Sequence, residues 1–355
     1  MSQRTELAAS IKKWAADAGF DLTGIAPVQQ YVELACFTEW ISAGHAGEMK
    51  YLEARDEAGQ LRRASLNSVF PWARSVIVCA INYNTDQPYS TEVNNPGHGW
   101  ISRYAWSRED YHDSVLRRLC EVEIKLKELV TTEAVQTRSY VDTGPVVERV
   151  YAKYAGAGWL GKNTCLINQK IGSWLFLGVI VTSLQLTPDL PAADRCGSCT
   201  RCIDACPTNA LIAPYELDSN KCISYLTIEK RGSIPEEMRE GIGQQVFGCD
   251  ICQDVCPWNR KAPIAYQPEF QPREGLVNPA LAFLAEISEE EFREKFRSSP
   301  VKRAKRSGLR RNALIAIGNS ANRQLLYVAE RASDDPDPAV AEAARWATER
   351  LKAQG

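Results

Sequence analysis

Cys196-Gly-Ser-Cys199-Thr-Arg-Cys202-Ile-Asp-Ala-Cys206-Pro207 is a complete C-x2-C-x2-C-x3-C-P run, the spacing by which bacterial iron–sulfur proteins hold [4Fe–4S] clusters. Further along, Cys249-x2-Cys252-x3-Cys256-Pro257 repeats its second half, and Cys222 stands upstream as a detached first ligand. Eight cysteines in two groups match two clusters at four thiolates each. Paired zinc sites and disulfides are the competing readings. Zinc sites are built from C-x2-C pairs, usually without a third cysteine two residues on and without Cys-Pro, so the spacing favours iron–sulfur. In two-cluster runs the fourth cysteine ligates the other cluster. The expected sets are Cys196, Cys199, Cys202 and Cys256 for one cluster, and Cys206, Cys222, Cys249 and Cys252 for the other. Such a chain handles electrons singly.

The 26 residues between Cys222 and Cys249 include Ser224-Tyr-Leu-Thr-Ile-Glu-Lys-Arg231 and are not needed to hold iron. They read either as a contact to the electron acceptor or as a surface loop. The 42 basic and 44 acidic residues nearly cancel, so no global charge argues for nucleic acid or a membrane. Hydrophobic content of 45% over 355 residues allows two or three cored domains. Residues 1–27 lack the unbroken apolar region of a signal peptide; Leu7, Ile11, Trp14 and Ala18 recur there at helical spacing instead. The longest apolar run, Trp174 to Val181, is too short to cross a bilayer. Twelve cysteines without an export signal point to a cytoplasmic protein. Cys36, Cys79, Cys120 and Cys165 fall outside the cluster pattern and read as buried, inert thiols.

Residues 1–187 alternate helical and strand patterns. Ser75 to Ile81 is a β-branched run expected as a buried strand, and Ile171 to Leu186 holds the most apolar strand region. Asp113 to Val130 reads as an amphipathic helix with Val115, Leu116, Leu119, Val122 and Leu126 on one stripe. The class is α+β. A cysteine-rich domain follows over 188–265. In 266–355, apolar stripes around Leu309, Leu325 and Val340 mark three helices, with an acidic-proline turn at 334–338. That grammar is similar to a HEAT-type helical repeat. One repeat cannot bury its face alone, so it should dock on the preceding domain.

Asp142 ends an apolar strand just before Gly144-Pro145, with Glu148 and Arg149 a turn later. The pattern alone favours a turn-capping aspartate; burial that raised its pKa would make it a general acid. Gly156-x-Gly158-Trp159-Leu160-Gly161-Lys162-Asn163 lacks the spacing of a P-loop and reads as a ligand-approach loop. His45, His98 and His112 sit in no Asp-x-His-x-x-Gly pattern, so a corrinoid here would be bound without a protein histidine ligand. Lys302, Arg303, Lys305, Arg306, Arg310 and Arg311 form the one dense basic cluster. It reads equally as a phosphate-backbone footprint or a solvated helix face.

Ser42-x-Gly44-x-x-Gly47-Glu48-Met49-x-Tyr51-Leu52, Ser102-Arg103-Tyr104-Ala105 with Asp110-Tyr111-His112, Asp142-x-Gly144-Pro145-x-x-Glu148-Arg149, Gly158-Trp159-x-Gly161-Lys162-Asn163 and both cysteine runs together resemble the epoxyqueuosine reductase family. The resemblance spans nearly the whole chain. It implies reduction of epoxyqueuosine to queuosine at the tRNA wobble position, the last step of queuosine biosynthesis. The implied architecture is a nitroreductase-like cobalamin-binding domain, a bacterial ferredoxin-like two-cluster domain and the HEAT-like repeat. The implied cofactors are base-off cobalamin, with no histidine below the cobalt, and two [4Fe–4S] clusters. Two cluster electrons would bring cobalt to nucleophilic Co(I), and the family's proton donor falls on Asp142.

By the same likeness, corrin contacts fall on Arg63, Tyr104, Ala105, Lys162, Asn163, Leu166, Ser224 and Asp250. The basic cluster would meet an anticodon stem-loop. An external low-potential donor would supply electrons, with no membrane partner, to a monomer. Competing readings are a reductive dehalogenase, a non-enzymatic electron carrier and an RNA-binding protein with structural clusters. Dehalogenases are typically exported under a twin-arginine signal, which this sequence lacks.

Overall fold

The computed structural model describes residues 3–130 and 134–353. The chain forms two compact units, each assembled from separate stretches. The first holds Met1–Asn84, Tyr111–Cys199 and Pro257–Ala265; the second holds Thr85–Asp110, Thr200–Cys256 and Tyr266–Gly355. The cysteine-rich stretch is divided: Cys196 and Cys199 belong to the first unit, the other six cluster cysteines to the second.

The first unit contains helix α1 (Gln3–Asp17), strands β1 (Leu22–Pro27) and β2 (Ser75–Asn82), helix α2 (Tyr111–Leu129), strand β3 (Thr137–Tyr140), helix α3 (Glu148–Tyr154) and strand β4 (Leu175–Thr182). Its sheet runs in the order β1-β2-β4-β3, every pair antiparallel. All eight residues of β2 are buried, as the β-branched run requires of a central strand covered on both faces. Alternation sorts the side chains. Val76, Val78, Val179 and Val181 pack with Val150, Tyr151 and Ala152 of α3. Burying each such valine stabilises the fold by roughly 1.5–3 kcal/mol. On the opposite face Gly178 of β4 lets α2 approach closely, since a Cβ there would stand 2.7 Å from Leu119 and 2.9 Å from Val115. β3 is an edge strand, so the chain leaving it for α3 turns a corner at the sheet margin.

The second unit is built on helix α4 (Ile223–Ile228), strand β5 (Gln245–Phe247), helix α5 (Lys305–Asn319) and helix α6 (Pro338–Ala353). β5 pairs in parallel with the short strand Trp100–Ile101. α5 is buried on all sides from Leu309 to Gly318 and packs on α6, α4 and β5. The segment between Cys222 and Cys249 is therefore neither a loop nor spare: α4 and β5 are the platform for α5. Asn312, fully buried, donates to the carbonyls of Thr227 and Val246 at 2.8 Å each. Asn319 likewise donates to Arg239 and Gly243. Through α5 the C-terminal helices thus pack on α4 and β5. Among the described residues no helix is long and apolar enough to cross a membrane.

Candidate functional site

All twelve cysteines are free thiols. Cys79 is buried and its thiol is pushed up to about 12 by desolvation, as expected of an inert core residue. Cys36 and Cys120 are exposed, against the expectation of burial, and Cys165 is half-buried. Of the eight cluster cysteines, Cys256 is buried and the other seven half-buried. Two one-turn helices, Arg201–Asp204 and Ile251–Asp254, carry Cys202 and Cys252 at matching places in the two runs. Within the second unit Cys206, Cys222 and Cys249 lie together. Burial, then the neighbouring Cys222 and Asp250, and then Cys206 raise the Cys249 thiol well above its ordinary range. A thiol so placed is ionised by metal charge rather than by water, which suits a cluster ligand. Among the described residues no three His, Cys, Asp or Glu side chains converge on one point as ligands of a single ion do. A four-iron cube takes its thiolates at separate corners and does not ask for such convergence.

The corner between β3 and α3 is built from unusual parts. Asp142 adopts φ 60, in the left-handed region, at a cost of roughly 1–3 kcal/mol for a residue with a side chain. Gly144 lies against the Tyr140 ring, where a Cβ would come within 2.4 Å of Cγ. Tyr111 donates its hydroxyl to Asp142 Oδ2 at 3.1 Å, and its ring stacks on Phe176 with centroids 4.3 Å apart. The phenol is thereby fixed, and with it one oxygen of an otherwise exposed carboxylate. Glu148, first residue of α3, has its Oε1 sealed from solvent with no hydrogen-bond partner. Burial, reinforced by the Asp142 charge, pushes the Glu148 carboxyl up to about 7, against the pull of Arg63 and Arg149.

The glycine-rich stretch is first of all a helix stop and a hairpin, which corrects its reading as a ligand loop throughout. Gly156 takes φ 75, and the N–H groups of Gly156 and Ala157 donate to Lys153 and Ala152 at 3.1 and 3.0 Å. That is a Schellman cap. Trp159–Leu160 then pairs with Leu166–Ile167. Only the hairpin tip is left for a ligand. There Thr164 stands at φ 64, its carbonyl accepting from Arg149 Nη1 at 2.7 Å. Asn163 is buried and its Oδ1 accepts from Cys165 N at 3.3 Å. Leu166 is buried, and Lys162 donates to the carbonyls of Gly197 and Cys199. The Lys162 and Asn163 side chains named for a corrin are turned to these protein partners.

In the second unit Asp250 is buried and saturated. It accepts from Trp100 Nε1 at 3.2 Å, from Arg103 N at 2.7 Å and from the Ser102 hydroxyl. Its carboxylate holds the 102–105 turn. Arg103, also buried, donates to Thr85, Gln87 and Pro88 carbonyls and stacks 4.8 Å over Trp106. Together they fix a turn that carries half-buried Tyr104, 6.0 Å from the Phe247 ring, and fully buried Ala105. Ser224 is half-buried at the start of α4.

The six basic residues separate into two kinds. Arg310 and Arg311 are buried and face inward, a correction to their place in a surface patch. Arg310 donates to Ala285 O and pairs with Asp335 at 2.6 Å. Arg311 donates to the carbonyls of Leu226, Lys230 and Gly232. Lys302, Arg303 and Lys305 are exposed and Arg306 is half-buried. Arg303 pairs with Glu229 and Arg306 donates to Ile287 O at 2.8 Å.

Residues 63–143 match the family model described as Epoxyqueuosine reductase QueG, DUF1730, and residues 195–259 match the 4Fe-4S double cluster binding domain. An epoxyqueuosine reductase of Synechocystis is 43% identical over 82% of this chain and 98% of its own length. One of Pseudomonas aeruginosa is 40% identical over 97% and 94%. The chain belongs to the epoxyqueuosine reductase family. A crystal structure of epoxyqueuosine reductase with a tRNA-Tyr epoxyqueuosine-modified tRNA stem loop superposes with TM-score 0.87, at 30% identity, over 98% of this chain and 90% of that one. Within the epoxyqueuosine reductase segment 63–143, Asp142 stands one residue from the end. Sequence reasoning passes over Glu148, which it places beside Asp142 without a role. Its only signal is a second carboxyl one turn beyond a candidate acid.

Proposed function

We propose that this protein reduces epoxyqueuosine to queuosine in tRNA, with electrons passing through two [4Fe–4S] clusters from an external low-potential donor. The observation that carries the reading is that one chain joins a double-cluster segment to the family segment ending at the Asp142 corner. The ligand sets are those of the cysteine spacing, Cys196, Cys199, Cys202 and Cys256 with Cys206, Cys222, Cys249 and Cys252. In finer terms the 1–187 stretch is nitroreductase-like, 188–265 ferredoxin-like and 266–355 HEAT-like.

The 162–166 hairpin tip and Arg63 would hold cobalamin, which when bound would supply the nucleophilic metal that opening an epoxide needs. The chain's own part is to place a proton. Asp142, strained into position and anchored by Tyr111, gives a proton to the epoxide oxygen as its bond to carbon breaks. General-acid help of this kind is worth about 10²–10⁴ in rate. Lys302, Arg303, Lys305 and Arg306 meet the phosphates of the anticodon stem-loop.

The test supplies cluster-reconstituted protein with cobalamin, a low-potential reductant and epoxyqueuosine-containing tRNA, followed by nucleoside mass spectrometry. Queuosine is the expected product, and no conversion with both clusters present would overturn the reading. Asp142→Asn should keep cluster content and cobalamin binding and lose turnover.

A further inference from the structure

A single carboxyl gives one proton at a time, and the reaction consumes two. Converting an epoxide to an alkene breaks both C–O bonds and forms one C=C π bond, and the oxygen leaves as water. The step takes up two electrons, which the cluster pair delivers from the low-potential donor, and two protons. An acid in contact with the epoxide oxygen is covered by the substrate during turnover, so its second proton has to arrive from the protein side.

Beside Asp142 the fold holds a carboxyl with the properties of a proton store. Glu148 Oε1 has no access to solvent and no hydrogen-bond partner. An ionised oxygen so enclosed is costly, whereas the protonated carboxyl is neutral and gains an O–H to donate. The carboxylate accepts the N–H of Glu148 at the start of α3, yet its Oε1 is shut off from water and has no donor. The charged groups acting on it are Asp142, Arg63 and Arg149, and Tyr111 of α2 holds one oxygen of Asp142. The two carboxyls are joined by the rigid Gly144-Pro145 turn.

We propose that Glu148 stores the second proton and passes it to Asp142 once the first has gone to the substrate oxygen. Glu148 thus acts through Asp142, and the proposal rests on Asp142 being the donor.

The experiment has two readouts. The first is a difference-infrared titration of the protein without substrate, comparing wild type with Glu148→Gln. A buried carboxyl that ionises near pH 7 is expected in wild type and absent from the variant. The second is the pH profile of kcat for the cobalamin-loaded, cluster-reconstituted enzyme on an epoxyqueuosine-containing stem-loop. Wild type should lose rate as pH rises through the Glu148 ionisation. Glu148→Gln should lack that limb, with kcat down by about tenfold or more at its best pH and KM unchanged. Glu148→Asp, which keeps an ionisable group, should recover part of kcat and restore a limb. Wild-type kcat and an unaltered profile in Glu148→Gln would overturn the proposal while an inactive Asp142→Asn left the donor assignment standing. Full turnover by Asp142→Asn would overturn both. Cluster absorbance and thermal melting report folding of each variant, and the Glu148→Asp arm decides the matter if Glu148→Gln folds poorly.

Discussion

Lys162 donates its ammonium to the carbonyl oxygen of Gly197 at 2.7 Å, and a second bond reaches Cys199 at 3.0 Å. A cation at the hairpin tip thus holds the loop that carries the first two cysteines of the run. Charged hydrogen bonds of this kind are worth about 1.5–3 kcal/mol where water is excluded, and less at a half-exposed site such as this. A positive charge near a cluster also favours its reduced, more negative form. Lys162→Met should therefore lower iron and sulfide content per chain and move one of the two cluster potentials downward. A redox titration followed by electron paramagnetic resonance reads both effects. Full iron content at unchanged potentials would show that the ammonium serves neither purpose.

Glu148 makes stability depend on pH. Its folded-state carboxyl titrates at about 7, above the ordinary value of 4.5. A raised pKa means the folded protein binds this proton more tightly than the unfolded chain. The resulting stability is complete below about pH 4.5 and is lost as pH rises through 7. Glu148→Gln lacks this loss. The difference in melting temperature, variant minus wild type, should grow between those two pH values and then level off. A difference that stayed flat across the range would show that Glu148 ionises freely in the folded state.

Arg311 is expected to behave as a core residue. Its guanidinium satisfies carbonyls of Leu226, Lys230 and Gly232 and the Asn312 side chain, with the residue 2% exposed. Arg311→Ala removes the charge and leaves those acceptors without donors. The expected destabilisation is on the order of 3–5 kcal/mol, measurable by denaturant unfolding. Retained stability with weakened RNA binding would return the residue to the surface patch.

Burial pattern explains what could be read from the chain. The β2 and β4 runs were legible because a strand covered on both faces needs an unbroken apolar stretch, and turn residues bound it. The double-cluster segment was legible because cysteine spacing is set by the cofactor. Arg310 and Arg311 were not, because α5 is enclosed on every side and shows no polar face by which to orient them. Charge density along a sequence does not reveal which guanidiniums are spent on buried carbonyls. Gly156 misled for a related reason: a helix stop and a ligand loop both call for a left-handed glycine. Glu148 escaped notice because its distinction is a missing hydrogen-bond partner, which only packing creates.

Lys305 separates charge from fold in the basic cluster. It is exposed, and it stands at φ 62, ψ 163, a region almost reserved for glycine and costing roughly 1–3 kcal/mol otherwise. Lys305→Gly removes the charge and relieves the strain together. The variant should melt at a higher temperature than wild type and bind the anticodon stem-loop more weakly. Each phosphate deprived of its cation lowers the slope of log affinity against log salt by about 0.7–0.9. Lys302→Gln, whose residue is also exposed, should give a similar slope change without the rise in stability, and the double variant roughly twice that change. Salt-dependent anisotropy binding with a labelled stem-loop measures the slopes. If neither slope moved while Lys305→Gly was stabilised, the strained lysine would be a relic of the helix start and the RNA path would lie elsewhere.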